Sequence, residues 1–491
     1  MKTRLFLFVS IYLVLDYTFK NLYLSAVNFI MLRNLKLIFR LIIVCLFPVF
    51  SFAQYTIQPD SLQTYINKLA SADFKGREAG TLGGDLAKDY IIMQLKNSNI
   101  PFYIQNVPLV NIYNGKSYFY HQKDTLKEYK HFYIYSGKKT GKLNPLNLSS
   151  AKILKLETTK DWKSNPKKFK GKWLLFEVDN KSDKRIDELI KEENFIQQNG
   201  ALGLMISTNI ETNDFTTNNK KTYLKQDLTY HDFPIILMNN QFAQKFFKTN
   251  KKISFTNQNT QFVNGYNIYT ILKGKNSFGK STLLSAHYDH LGQTERGIYY
   301  GADDNASGTA ALMCIAQKIK NLQNSPQQNE EDIIVAWWTA EEKGLLGSRY
   351  FTENPPLDLS KIQTVINVDM IGRYDTNYNP PSNYIYVIGS NFISNQLHLA
   401  NEEVNKNGEK LILDYTYNLL DHPEDLFQRS DQYNFHLQGI PSIFFFSGFH
   451  SDYHTIYDTS DKIDAKKASK IASHIFDLIL HLSKTKNQIV R

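Results

Sequence analysis

The sequence predicts an α/β protein, with a mixed, mostly parallel sheet carrying helices on both faces and a β-rich domain inserted into it. Three observations predict it. From about residue 258 short apolar runs alternate with helical segments, a rhythm that implies a sheet whose crossovers cover both faces. The stretch 144–257 has its own succession of strands and helix. Two amphipathic helices fit between Ile57 and Ser98, ahead of both.

Taken in order, GGDLAKDYIIMQLKNSN sets Leu86, Tyr90, Ile91 and Leu95 on one helical face. Polar sequence rich in Tyr and Lys follows and reads as strands and turns. In the inserted stretch GKWLLFEVDN reads as a buried strand, DELIKEENFIQQNGALGLMIST as helix, glycine break and strand, and FPIILMN as a further strand. The alternation then runs through YNIYTILKG, STLLSAHYDHLG, a helix from Ser307 to Leu322, EDIIVAWWTAEE, a helix through Leu346 and Tyr350, and TVINVDMIG. NYIYVIG, GIPSIFFFSG and the helix KKASKIASHIFDLILHLSK complete it. There is no internal repeat and no long low-complexity linker.

Within this frame five side chains suited to metal binding occur in order. They are His287 in LLSAHYDHLG, Asp304 in YGADDNASGTAAL, Glu342 in AWWTAEEKGLLGS, Asp369 in VINVDMIGR and His454 in HSDYHTIYDTSDKID. Zinc takes imidazole nitrogen and carboxylate oxygen at about 2.0–2.2 Å, and a pair of ions needs a carboxylate that reaches both. Asp304, in a Gly-rich turn, is the expected bridge. His287 with Asp369 would hold one ion, and Glu342 with His454 the other. Glu341, adjacent to a ligand and free of the metals, is the expected general base. An adjacent Glu-Glu pair commonly opens a solvated helix. Here it follows the apolar run IIVAWWTA, at the end of a strand where open α/β sheets place their sites. A charge inside VINVDMIG is costly unless it has a partner.

These segments resemble the di-zinc exopeptidase family of bacterial aminopeptidases and glutamate carboxypeptidases. The hallmarks read here as His287-Tyr-Asp289, Gly-Ala-Asp-Asp304-Asn-Ala-Ser-Gly, Glu341-Glu342-Lys-Gly-Leu-Leu-Gly-Ser, Asp369 and Tyr453-His454-Thr, with FKGREAGTLGG and FQRSDQYNFHLQGIPS as further matching segments. Ile456 and Gln432 depart from residues common in the family, and neither is a ligand position. The resemblance implies a zinc exopeptidase fold, two Zn2+ ions (replaceable in vitro by Co2+ or Mn2+), peptide substrates, and a water held between the metals as nucleophile. It also implies an oxyanion-stabilising hydroxyl on Tyr453, a role for Asp289 in orienting the His287 ring, and substrate-lining positions at Arg429 and Asp431. The stretch 144–257 resembles a protease-associated domain. The implied layout is an export segment over 1–53, the N-terminal part of the peptidase domain over 54–143, the insertion over 144–257 and the catalytic domain over 258–491. An aminopeptidase is the expected activity. A glutamate carboxypeptidase, a one-zinc glutaminyl cyclase and a non-catalytic binding module of the same fold remain as alternatives.

The stretch from Met31 to Ala53 has a basic start, an apolar centre from about Leu41 to Phe50 and a small residue at its end. It reads as a secretory signal with cleavage after Ala53, giving a periplasmic or secreted protein with no stable membrane association. Met31 is the expected start, and a retained membrane anchor the competing reading. Residues 1–53 hold six basic residues and one acidic one, so the net charge of +10 falls to +5 without them. Scattered lysines of that modest excess do not argue for nucleic acid. Cys45 would leave with the signal, and Cys314 would then have no intramolecular partner. The sequence lacks H-E-x-x-H, G-x-S-x-G, a Walker loop and G-x-G-x-x-G, which removes the usual support for nucleotide chemistry and serine hydrolysis. Nothing in the sequence fixes an oligomeric state.

Overall fold

A computed structural model describes residues 56–484 and Ile489, apart from positions 114, 122, 136–140, 158–161, 179–183, 209–219, 248–251 and 277–278. The expected signal segment, with Cys45 and the Ala53 cleavage point, lies outside the described residues. No helix among them is long and apolar enough to cross a membrane.

Among the described residues nine strands form the main sheet: Tyr103–Tyr113 (β1), Lys220–Leu224 (β2), Thr260–Leu272 (β3), Ser281–His287 (β4), Asp332–Trp338 (β5), Ile362–Val368 (β6), Tyr384–Ile388 (β7), Ile412–Asp414 (β8) and Ser442–Phe446 (β9). Their order across the sheet is β8-β7-β9-β6-β4-β5-β3-β1-β2. The central strands β5, β4, β6 and β9 run parallel, and antiparallel pairs flank them on both sides. Every residue of β4, β6 and β9 is buried, as expected for parallel strands covered on both faces.

The covering helices are Pro59–Leu69 (α1), Leu82–Asn97 (α2), Gly308–Asn321 (α3), Leu346–Glu353 (α4), Asn395–Asn407 (α5), Gln432–His436 (α6) and Ala465–Lys484 (α7). Adjacent side chains of β5 show the two faces, because successive strand residues point in opposite directions. The Trp337 indole donates to the Thr309 carbonyl of α3, whereas the Trp338 ring packs against Phe351 of α4 and Phe435 of α6 at 4.8 and 5.8 Å. Helix α7 lies alongside α1, α3 and α5.

His474 on α7 is fully buried, its Nε2 is 2.8 Å from Asn401 Oδ1, and burial pushes its pKa down to about 4. An unfolded imidazole titrates near ~6.5, so the unfolded chain takes up this proton first. The stability this neutral ring contributes is complete above that pH and is lost as pH falls towards 4. We expect the parent to lose on the order of 3 kcal/mol more than His474→Gln between pH 7 and 4 in denaturant titrations. Equal losses in the two proteins would show that His474 does not stay neutral in the fold.

The chain leaves the main sheet after Tyr113 and returns at Thr260. Ile112 and Thr260 are paired across β1 and β3, so the two ends of the excursion meet. Among the described residues the excursion builds a second, eight-stranded sheet. On Lys172–Glu177 the alternation divides two cores, with Leu174 and Phe176 packing with Phe169 and Ile206, and Trp173 and Leu175 packing with Phe119 and Phe255. This sheet begins at Ser117, ahead of the expected boundary at 144, because Ser117–His121 pairs with Lys252–Asn257. Part of the excursion also returns to the main sheet, where β2 pairs with β1 as an edge strand. The helices Lys184–Lys191 and Glu193–Gln198 fall where DELIKEENFIQQNG reads as helix, and Asn240–Phe247 adds a third to the segment.

Candidate metal centre

Parallel pairing sets the carboxyl ends of β4, β5 and β6 side by side, and the candidate ligands sit there. His287 is the last residue of β4, Glu341 and Glu342 follow β5, and Asp369 follows β6. Asp304 reaches the same place from the loop before α3, and His454 from the loop after β9. Ala340, Met370 and His454 all have φ of +56°, in the left-handed region. Such a conformation costs a non-glycine residue of order 1–3 kcal/mol and persists where the surroundings enforce it, commonly at functional sites.

The donor atoms fall into two groups that share Asp304. His287 Nε2 lies 3.4 Å from Asp304 Oδ1 and 3.2 Å from Asp369 Oδ1. His454 Nε2 lies 3.0 Å from Asp304 Oδ2 and 3.2 Å from Glu342 Oε2. Four donors placed tetrahedrally at zinc distances stand about 3.3 Å apart. Both groups have that spacing, with one oxygen of Asp304 facing each, so the residues fit two ions with Asp304 between them.

The electrostatics agree. Burial pushes the Asp304 carboxyl up, and the neighbouring Glu342 adds to it. Glu341 is pushed well above the usual carboxylate range by burial, lowered by His287 and raised further by Glu342 and Asp369. Against their own burial, both imidazoles are held protonated: His287 well above its ordinary range by Asp369, Glu341 and Asp304, and His454 at about 10 by hydrogen bonds to Asp304 and Glu342. Imidazole must be neutral to bind a metal. The excess negative charge that holds protons on these rings is the charge a pair of divalent cations would neutralise.

Several neighbours act differently from expectation. Nδ1 of His287 meets the backbone carbonyl of Asp289 at 3.2 Å. The Asp289 carboxylate lies 3.9 Å from that nitrogen and accepts the Glu341 N–H at 3.1 Å instead. Asp289 therefore orients His287 through its backbone and the Glu341 loop through its side chain. Arg429 lines the cavity in front of the centre, with its guanidinium over the Phe449 ring. Asp431 does not line it, being wholly buried with Oδ1 accepting from the Ser348 hydroxyl at 2.5 Å. Tyr453 does line it, with its ring stacked on His454 at 3.9 Å. The rest of the lining is largely apolar: Met370, Leu426, Phe444, Phe446 and Phe449.

Sequence reading missed four contributors. Arg77, in FKGREAG, is fully buried and donates to the carbonyls of Leu69, Tyr288, Tyr300 and Gly301, tying together the loops that carry His287 and Asp304. The Asp458 carboxylate accepts the N–H groups of Asp303 and Asp304. Ser430 donates to Asp369 Oδ2 at 2.9 Å, which leaves Oδ1 for the His287 side. His290 is fully buried with Nδ1 2.7 Å from Glu342 Oε1. An arginine placed between glycines was the one available signal; the others depend on tertiary contacts.

Comparison with known proteins finds similarity in this region. Residues 267–479 match the model of peptidase family M28. Leupeptin-inactivating enzyme 1 of Streptomyces exfoliatus is 33% identical over 115 residues, which is 23% of this chain and 24% of that protein. Leucine aminopeptidase 2 of Trichophyton equinum is 34% identical over 91 residues, 18% of this chain and 16% of that protein. The matching stretches thus span a quarter or less of these curated relatives. Among solved structures, an aminopeptidase from Aneurinibacillus sp. strain AM-1 aligns over 89% of this chain and 96% of its own, at 16% identity and a TM-score of 0.49. The stretch that matches the M28 model, residues 267–479, carries all five candidate ligands and Glu341.

Proposed function

We propose that this protein is an exported, two-zinc aminopeptidase that removes N-terminal residues with apolar side chains from peptides. The observation that carries the reading is the pair of donor groups sharing Asp304, with Glu341 beside them, at the floor of a cavity lined by Met370, Phe444, Phe446 and Phe449. Bound there, zinc would supply Lewis acidity to the scissile carbonyl and lower the pKa of the attacking water. Glu341 takes the proton from that water as it attacks and passes it to the leaving amine nitrogen. The Tyr453 hydroxyl donates to the carbonyl oxygen as it gains charge, a contribution of about 3 kcal/mol for a well-placed donor. Export rests on the stretch from Met31 to Ala53, and the excursion between β1 and β3 is read as a protease-associated-like module beside the catalytic domain.

Amino-end cleavage is favoured over carboxyl-end cleavage by the charges around the cavity. Its lining includes Asp304, Glu341, Glu342 and Asp369 against one arginine, Arg429, whose guanidinium is turned to Phe449 and Glu424. Once the two ions neutralise those four groups, the lining still offers a terminal carboxylate no guanidinium or ammonium group among the described residues other than Arg429. Peptides with a leading Leu or Phe, offered with free and with acetylated amino termini, test the reading. We expect cleavage of the free form alone, abolished by a chelator. Release of residues from the carboxyl end of both forms would replace it with a carboxypeptidase, and cyclisation of N-terminal glutamine without hydrolysis would replace it with a cyclase.

A further inference from the structure

His290 is the buried imidazole at this centre that the two ligand groups leave unexplained. It lies three residues beyond His287 and points at the opposite half of the site. Its Nδ1 is 2.7 Å from Glu342 Oε1 and 3.7 Å from Asp304 Oδ2, close enough for the three residues to be taken for one ligand group.

Two observations decide between a ligand and a hydrogen-bond donor. The first is spacing. Donors sharing one zinc should stand about 3.3 Å apart, as His454 Nε2, Asp304 Oδ2 and Glu342 Oε2 do. A separation of 2.7 Å is instead that of a charge-assisted N–H···O⁻ bond. The second is the far side of the ring. A ligating histidine almost always donates its other N–H to a carboxylate, carbonyl or water. Nε2 of His290 is buried and has no hydrogen-bond partner among the described residues, so a proton there would be an orphaned donor. The proton belongs on Nδ1, facing Glu342.

The ring cannot easily turn away. Its edge packs on Gly301, where a Cβ would come within 2.5 Å of His290 Cγ and Cδ2, and its backbone N–H donates to the Arg77 carbonyl at 3.3 Å.

We propose that His290 is a positioning residue of the metal centre: its Nδ1–H holds Oε1 of Glu342, so that this carboxylate binds its ion through Oε2 alone and leaves a coordination position open. Ser430 treats the ligand on the other side in the same way, since its hydroxyl occupies Asp369 Oδ2 while Oδ1 faces His287. Each terminal carboxylate then has one oxygen committed to the protein and one to an ion. Glu342 is the end of the site that also carries His454, whose side chain is 37% exposed, so this is the half a substrate reaches. An open position there matters more than one on the buried His287 side. The proposal rests on the two-ion reading above.

Cobalt(II) titration of the metal-free, full-length protein tests it without reference to activity, following d–d absorption alongside ion binding by calorimetry. His290→Phe keeps a ring against Gly301 and removes the donor; His290→Asn restores an N–H near the position of Nδ1. The parent is expected to bind two ions. His290→Phe is expected to bind one unchanged and the other 10- to 100-fold more weakly, with the weaker, less intense spectrum of a higher coordination number as Glu342 becomes bidentate. His290→Asn is expected to recover most of the lost affinity and the parent spectrum. A parent that binds fewer than two ions overturns the two-ion reading and this proposal with it. A parent that binds two, with His290→Phe matching it in affinity and spectrum, overturns the role of His290 alone. Complete loss of one ion in both variants would make His290 a direct ligand and overturn the donor role.

Discussion

Glu341→Gln leaves both ions bound and lowers turnover at least ~100-fold, the effect of removing a general base. The two halves of that result come from different parts of the site. Glu341 Oε2 is 3.9 Å from His287 Nε2, outside the tight spacing shared by the ligand atoms, so its charge is not needed to hold an ion. Its place is fixed by its neighbours: the backbone N–H is held by Asp289, and Ala340 before it is left-handed. Glutamine keeps the size and the backbone contact and loses the basic oxygen. Metal content measured beside the rate separates the two effects. Near-parental turnover with both ions present would remove Glu341 from the mechanism, and a missing ion would make it a ligand.

Asp304→Asn is expected to weaken both ions together, by at least ~100-fold each, because one oxygen of this residue faces each donor group. In the metal-free protein burial and Glu342 disfavour the Asp304 carboxylate while His290 and His454 favour it, so the amide is expected to change stability far less there than in the zinc-loaded protein. The parent gains stability on adding zinc with the logarithm of free zinc relative to Kd, about 2.7 kcal/mol per site at a hundred-fold excess over Kd. The variant should show little of this gain at the same zinc concentration. Thermal melts of both proteins with zinc and with chelator check this. Loss of affinity for one ion alone would show that Asp304 serves a single ion.

The ligands were legible because their residue types conflict with their surroundings. Asp369 follows Val-Ile-Asn-Val and Glu341-Glu342 follow Val-Ala-Trp-Trp-Thr-Ala, and charge at the end of a buried strand needs a reason. What could not be read depended on how loops pack after the strands end. The resemblance implies a role for Asp289 in orienting the His287 ring, but β4 stops at His287 and the Asp289 carboxylate turns to the Glu341 N–H. Asp431 sits between Ser430, which touches Asp369, and Gln432, which accepts from Asn367; its burial against Ser348 follows from α4 packing on α6, which a single segment does not reveal. The local pattern changes at 144, whereas the second sheet takes in Ser117–His121 by pairing with Lys252–Asn257, a contact across most of the insertion that no local pattern reveals. His290 had no spacing signature, because Glu342 comes from another strand.

The measurement that tests the central claim most directly is the number of zinc ions bound per chain after exhaustive dialysis, determined together with aminopeptidase turnover as zinc is added back. Two ions, both removed by chelator, with turnover rising only as the second site fills, is the predicted result. One ion at full activity, or two ions with no hydrolysis of any free-amino peptide, would contradict it.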